Sequence, residues 1–194
     1  SRVIAMRGPR RSPVGFRSRF RERAARAWSY LTNPLPVPEE SAGWVRAQQI
    51  AAFKRLGPWT IAANLMNAAF LTAALFNTPS RQSVLLWAAV VAAFMALHLF
   101  KLIASRGRPP ATTRSPRAIS ANMRDSLALG ILWGAMPALF FSSVTPQEQT
   151  VIAIVMVGTM CGGAFMLSTV PKGAVVFVTS IGIGAFIGLV RDSA

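Results

Sequence analysis

The sequence predicts an all-α, polytopic transmembrane helix bundle, and three observations predict it. Five long apolar stretches fill residues 57–190, each close to the roughly 20 helical residues that cross a hydrocarbon layer about 30 Å thick. Hydrophobic residues make up 53% of the 194-residue chain, more than an ordinary soluble domain needs. The basic residues, 21 against 6 acidic, are sorted between alternate ends of the apolar stretches instead of being spread evenly.

The spans fall at about 57–76, 83–102, 126–144, 151–170 and 173–190. Twelve of the basic residues precede the first span, against three acids. Lys101, Arg106, Arg108, Arg114, Arg117 and Arg124 lie between spans two and three, with Asp125 as the one acid. The intervening loops carry only Arg81 and only Glu148. Short basic loops stay in the cytoplasm, so the amino terminus and residues 101–125 are expected inside a bacterial inner membrane. Five spans would leave Arg191 to Ala194 outside, so a sixth helix after Ala194 is expected, and the chain reads as a fragment.

Residues 1–40 read as a basic cytoplasmic arm and residues 41–194 as the transmembrane domain. Residues 1–15 are polar, without apolar periodicity, and are expected to be disordered. From Phe16, FRSRFRERAARAWSYL places Phe16, Phe20, Ala24, Trp28 and Leu31 on or near one helical face. Arg17, Arg19, Arg21, Arg23 and Arg26 crowd the rest, as in an amphipathic helix lying on anionic lipid. A solvated basic tail fits the same residues. Nucleic acid is not an expected partner, since no aromatic platform or recognition motif accompanies the charge. The run Asn33-Pro34-Leu35-Pro36-Val37-Pro38 breaks the helix, and Ser41 is expected to cap a new one leading into span one. The segment GRPPATTRSP, residues 107–116, reads as flexible.

Asn64 and Asn67 are three residues apart and project from nearly one face of span one. They are expected either to join helices by hydrogen bonds or to contact a polar ligand. His98, the one histidine, lies near the cytoplasmic end of span two with Lys101, where both can snorkel to the interface; no carboxylate is expected within a span to pair with it. Met156, Met160, Cys161 and Met166 form a sulfur-rich set, but Cys161 is turned by about 100° from Met160 on a helix, and methionine commonly fills helix interfaces. Gly130-x-x-x-Gly134, Gly158-x-x-x-Gly162 and Gly184-x-x-x-Gly188 are expected to let three helices approach closely. Pro137 is expected to kink span three. Together Asn64, Asn67, Pro137, Gly158, Gly162 and Gly163 are the candidate residues of a packing switch. The sequence offers no catalytic pair, phosphate loop, metal-ligand set or cofactor site.

The stretch Arg46–Val190, about three-quarters of the chain, resembles the MASE-type membrane-associated sensor domains at the amino end of bacterial GGDEF and GGDEF–EAL proteins. The resemblance is carried by RAQQIAAFKRLGPW and AANLMNA around span one, LGILWGAMPALFF in span three and MCGGAFMLSTVP in span four. It implies a sensory or anchoring module controlling a downstream cytoplasmic diguanylate cyclase, with dimerisation through that output domain and no enzyme activity in this chain. A small transporter or channel, or an accessory subunit of a membrane assembly, is the alternative. Topology is directly testable. With Cys161 replaced by serine, a cysteine introduced at Ser115 should react in intact cells with a membrane-permeant maleimide and not with an impermeant one.

Overall fold

The computed structural model describes residues 39–105, 113 and 116–193, all within one compact unit, Pro38–Ala194. The arginine-rich arm, including Arg17, Arg19, Arg21, Arg23 and Arg26, lies outside the described residues, as does most of the segment 107–116. The described residues form five α-helices and no strand: α1 (Glu39–Ala74), α2 (Arg81–Ala104), α3 (Pro116–Phe140), α4 (Pro146–Met166) and α5 (Pro171–Asp192). A single 3-10 turn, Phe141–Ser143, ends α3.

Three of the starts have a visible local cause. Pro116, Pro146 and Pro171 each open a helix, where the missing N–H is not needed and the fixed φ already suits the first turn. At α4 the start is fixed further by a capping box. The Thr145 hydroxyl accepts from the Glu148 amide, while the Glu148 carboxylate accepts from the Thr145 amide at 2.8 Å. Ser41 does not cap α1, because that helix already begins at Glu39. The helix then runs unbroken for 36 residues, past an exposed Pro58, joining the entry segment and span one into a rod about 54 Å long.

Four segments are long and apolar enough to cross a membrane: Arg81–Ala104, Ser120–Ser143, Pro146–Met166 and Pro171–Asp192. The first expected span forms as helix within α1 but falls short in apolarity, since Asn64 and Asn67 sit in its middle. The outward faces of the bundle are apolar too. Phe70, Leu86, Phe100, Ile154, Phe165 and Phe186 are all more than half exposed, an arrangement that water would not tolerate and lipid favours. Polar side chains within the helices bond their own backbone: Thr72 to the Ala68 carbonyl and Ser180 to the Val176 carbonyl, both at 2.7 Å. The chain is a multi-pass, membrane-embedded helical module.

The most extensive contact joins α3 to α5, two helices that are not consecutive. A Cβ on Gly130 would lie 2.9 Å from the Phe177 carbonyl oxygen, and one on Gly134 would lie 2.7 Å from that of Ser180. Gly184 meets the Gly134 backbone in return, and Gly188 meets the Pro137 carbonyl. Two of the three expected glycine pairs therefore face each other across one seam. The third does not pack. Positions Gly158 and Gly162 have nothing within 4 Å of where a Cβ would stand, so the expectation of close approach there is corrected. Pro137 lies in the seam, buried, inside α3 without ending it.

Gly184→Leu should therefore lower the melting temperature of the detergent-solubilised protein, at a cost of about 1–3 kcal/mol or more, because backbone cannot yield as a side chain can. Gly158→Ala should leave it unchanged or raise it.

Candidate functional site

Along the helix axes the bundle has two unlike halves. Toward the end that carries Arg191, the core is closed. Leu71 of α1 and Leu75 just after it, Val84 and Trp87 of α2, Phe140 of α3 and Ile152 of α4 are all buried in one apolar cluster. Toward the end that carries Lys101, the helices line a partly open cavity of about 520 Å³ to which all five contribute. This is the size of an ordinary small-molecule site.

Each wall follows from helical periodicity. Asn122, Asp125, Ser126 and Leu129 of α3 line the cavity at i, i+3, i+4 and i+7, and Phe94, His98, Lys101 and Leu102 of α2 line it at i, i+4, i+7 and i+8. From α4 come Gly158, Thr159, Gly162, Gly163 and Met166, and from α5 comes Phe177, whose ring lies against Gly163. The walls are mainly apolar. Their polar groups gather in two places, a layer at the closed end and a cluster at the rim.

The polar layer is built on the two asparagines. Asn64 is buried; its Oδ1 accepts from Trp133 Nε1 at 2.6 Å and its Nδ2 donates to the Thr60 carbonyl at 2.7 Å. Asn67 Nδ2 donates to Thr159 Oγ1 at 3.1 Å. One turn of α1 thus ties itself to α3 and to α4. Trp133 in turn meets Trp87 edge to face, with ring centroids 5.2 Å apart, and Trp87 Nε1 donates to the Leu132 carbonyl at 2.8 Å. The amides are the joints between helices and also border the cavity, so the two expectations for them coincide in place.

The rim was not legible from the loop reading of residues 101–125. Because α3 begins at Pro116, Asp125 lies inside a helix and faces α2. Its Oδ2 is 3.4 Å from His98 Nε2 and 3.7 Å from Lys101 Nζ. The expectation that His98 has no carboxylate partner is therefore corrected. Nδ1 of the same ring lies 2.9 Å from the Phe94 carbonyl oxygen. Oxygen acceptors thus flank both ring nitrogens. Lys54 of α1 completes the rim. The stripe Asn122, Asp125, Ser126, Leu129 was the available signal, hidden by reading Pro116 as the end of a loop and not as a helix start.

Of the candidate switch residues, the fold brings Asn64, Asn67, Gly158, Gly162 and Gly163 together on the cavity and leaves Pro137 apart in the α3–α5 seam. The sulfur set disperses: Met156 is buried in the core, Cys161 is exposed and Met166 lies on the cavity wall. Among the described residues no group of three or more His, Cys, Asp or Glu side chains converges.

Comparison with protein-family models, with curated proteins and with solved structures returns no match to this chain.

Asn64→Leu should destabilise the bundle by about 1–3 kcal/mol, because it leaves the buried Trp133 N–H without an acceptor. Asn67→Leu should cost less, within the roughly 0.6–2 kcal/mol of an interhelical bond. Thermal melts followed by tryptophan emission, with Trp133→Phe closing a double-mutant cycle on Asn64, check both.

Proposed function

We propose that this chain is the sensory or anchoring membrane module of a bacterial signalling protein, set in the inner membrane with its amino terminus in the cytoplasm and controlling a cytoplasmic diguanylate cyclase. One observation carries the sensory part of this reading: a small-molecule-sized cavity occupies one half of a bundle whose other half is packed shut. A recess closed at one end suits binding better than passage, which favours sensing over a transporter or channel. The arrangement also suits a response. Ligand in the cavity would touch α1, α2 and α4 beside the asparagine joints, and it can bias the bundle only by binding one packing of these helices better than another.

The cyclase assignment and dimerisation through an output domain rest on the resemblance of Arg46–Val190 to MASE-type sensor domains. The orientation rests on the placement of the basic residues, now joined by the position of Lys54, Lys101, Arg124 and Lys172 beside Asp125 at one end of the bundle, where the other end balances Arg81 and Arg191 against Glu148 and Asp192. The chain itself acts as a binding and coupling element, without enzyme chemistry of its own.

In membranes from cells that express the full reading frame encoding this chain, Gly162→Leu should fill the cavity and change cyclic di-GMP synthesis several-fold. Gly158→Ala should change it little. Equal synthesis in wild type and Gly162→Leu would count against regulation through the cavity, and solute flux in proteoliposomes of the purified chain would favour transport instead.

A further inference from the structure

We infer that the cavity binds an anionic, single-chain amphiphile, with its acidic head at the Lys54–Lys101 rim and its acyl chain running inward toward Phe177. Four features point to this class. The walls below the rim are mainly apolar, formed by Ile61, Met95, Leu129, Leu167 and Phe177, and would waste the hydrogen-bonding capacity of a polar metabolite. Among the described residues the rim is unbalanced: Lys101 and His98 share the carboxylate of Asp125, and Lys54 has no ion pair with a described carboxylate. An anionic head therefore meets a spare ammonium group there.

The third feature is size. A volume of about 520 Å³ accepts one chain of moderate length, and two chains of a bilayer phospholipid would not both enter. The span from Lys54 to Asn64, ten residues of helix, gives a depth of about 15 Å. The fourth is access. Gly158 and Gly162 line the cavity and are exposed, with no neighbour within 4 Å of either Cβ position. The α4 wall is thus thinned at these two positions, level with the lipid tails, where a flexible chain can pass sideways. At the closed end Asn64 is engaged through both amide atoms and Asn67 donates to Thr159, so that end does not call for a polar tip.

A free fatty acid and a lysophospholipid with an anionic head share this chemistry. The inference supplies a stimulus for the sensing reading above and uses the same cavity, but its test reads binding alone, so the two can fail separately.

The test uses the purified chain in phosphatidylcholine nanodiscs, lauric acid carrying a diazirine near its methyl end, and peptide mapping of the adducts. Adducts are expected on Thr159, Gly163, Met166, Leu167 and Phe177, which line the cavity, and not on Cys161 or Phe165, which do not. Laurate or lysophosphatidate should compete them away, and the better competitor identifies the source. Lauryl alcohol and two-chain phosphatidate should not compete. Replacing Lys54 and Lys101 together by glutamine should weaken competition by laurate by about tenfold. Gly162→Leu should abolish the adducts while the tryptophan-monitored melt stays cooperative. Adducts confined to lipid-facing residues, or equal competition by lauryl alcohol, or competition by two-chain phosphatidate would each overturn the assignment.

Discussion

The seam between α3 and α5 sets the rest of the arrangement. In lipid there is no hydrophobic gain from bringing two apolar helices together, so association must come from close packing and from hydrogen bonds. Glycines on both sides supply the first: Gly130 and Gly134 admit the α5 backbone, and Gly184 and Gly188 admit that of α3. Once these two helices are locked, α4, which connects them in the chain, is displaced to the flank. There it meets α1 through Asn67 and Thr159. The open space at Gly158 and Gly162 follows from that displacement.

Hydrogen bonds in the low-dielectric interior then do for α1 what glycine does for α3. Leaving Asn64 and Trp133 unpaired would be costly in a medium without water, so their mutual bond fixes the rotation and depth of α1. The same bond marks where packing changes character. On one side, large side chains from four helices interlock. On the other, the polar residues stand back toward the headgroup end, where His98, Lys101 and Asp125 can reach water and one another. The cavity is what remains between a polar layer that must be satisfied and a charged rim that must stay wet.

Much of this organisation was legible in the residues. The all-α class and four of the five spans followed from apolar run length, whereas the first forms as part of a longer helix that is not apolar enough to be a span by that measure. The glycine pairs at 130/134 and 184/188 were correctly placed at helix contacts. Their partners were not, since spacing within a helix says nothing about which helix it faces, and Gly158 and Gly162 carry the same spacing with the opposite outcome. Asn64 and Asn67 announced themselves because amides in an apolar run demand partners. Asp125 did not, because a charged residue after a proline-rich, basic stretch looks like loop until Pro116 is recognised as a first-turn residue. The local code of helix starts, at Pro116 and in the Thr145–Glu148 box, was present but was outweighed by hydropathy.

The unbroken length of α1 has a mechanical consequence. Asn64 anchors the rod well off centre, leaving about 37 Å of helix between that joint and Glu39. With a fulcrum there, a tilt of about 10° would sweep the far end through roughly 6 Å, so an adjustment of side-chain size beside the amides emerges at the headgroup end as a displacement larger than one helical turn's rise.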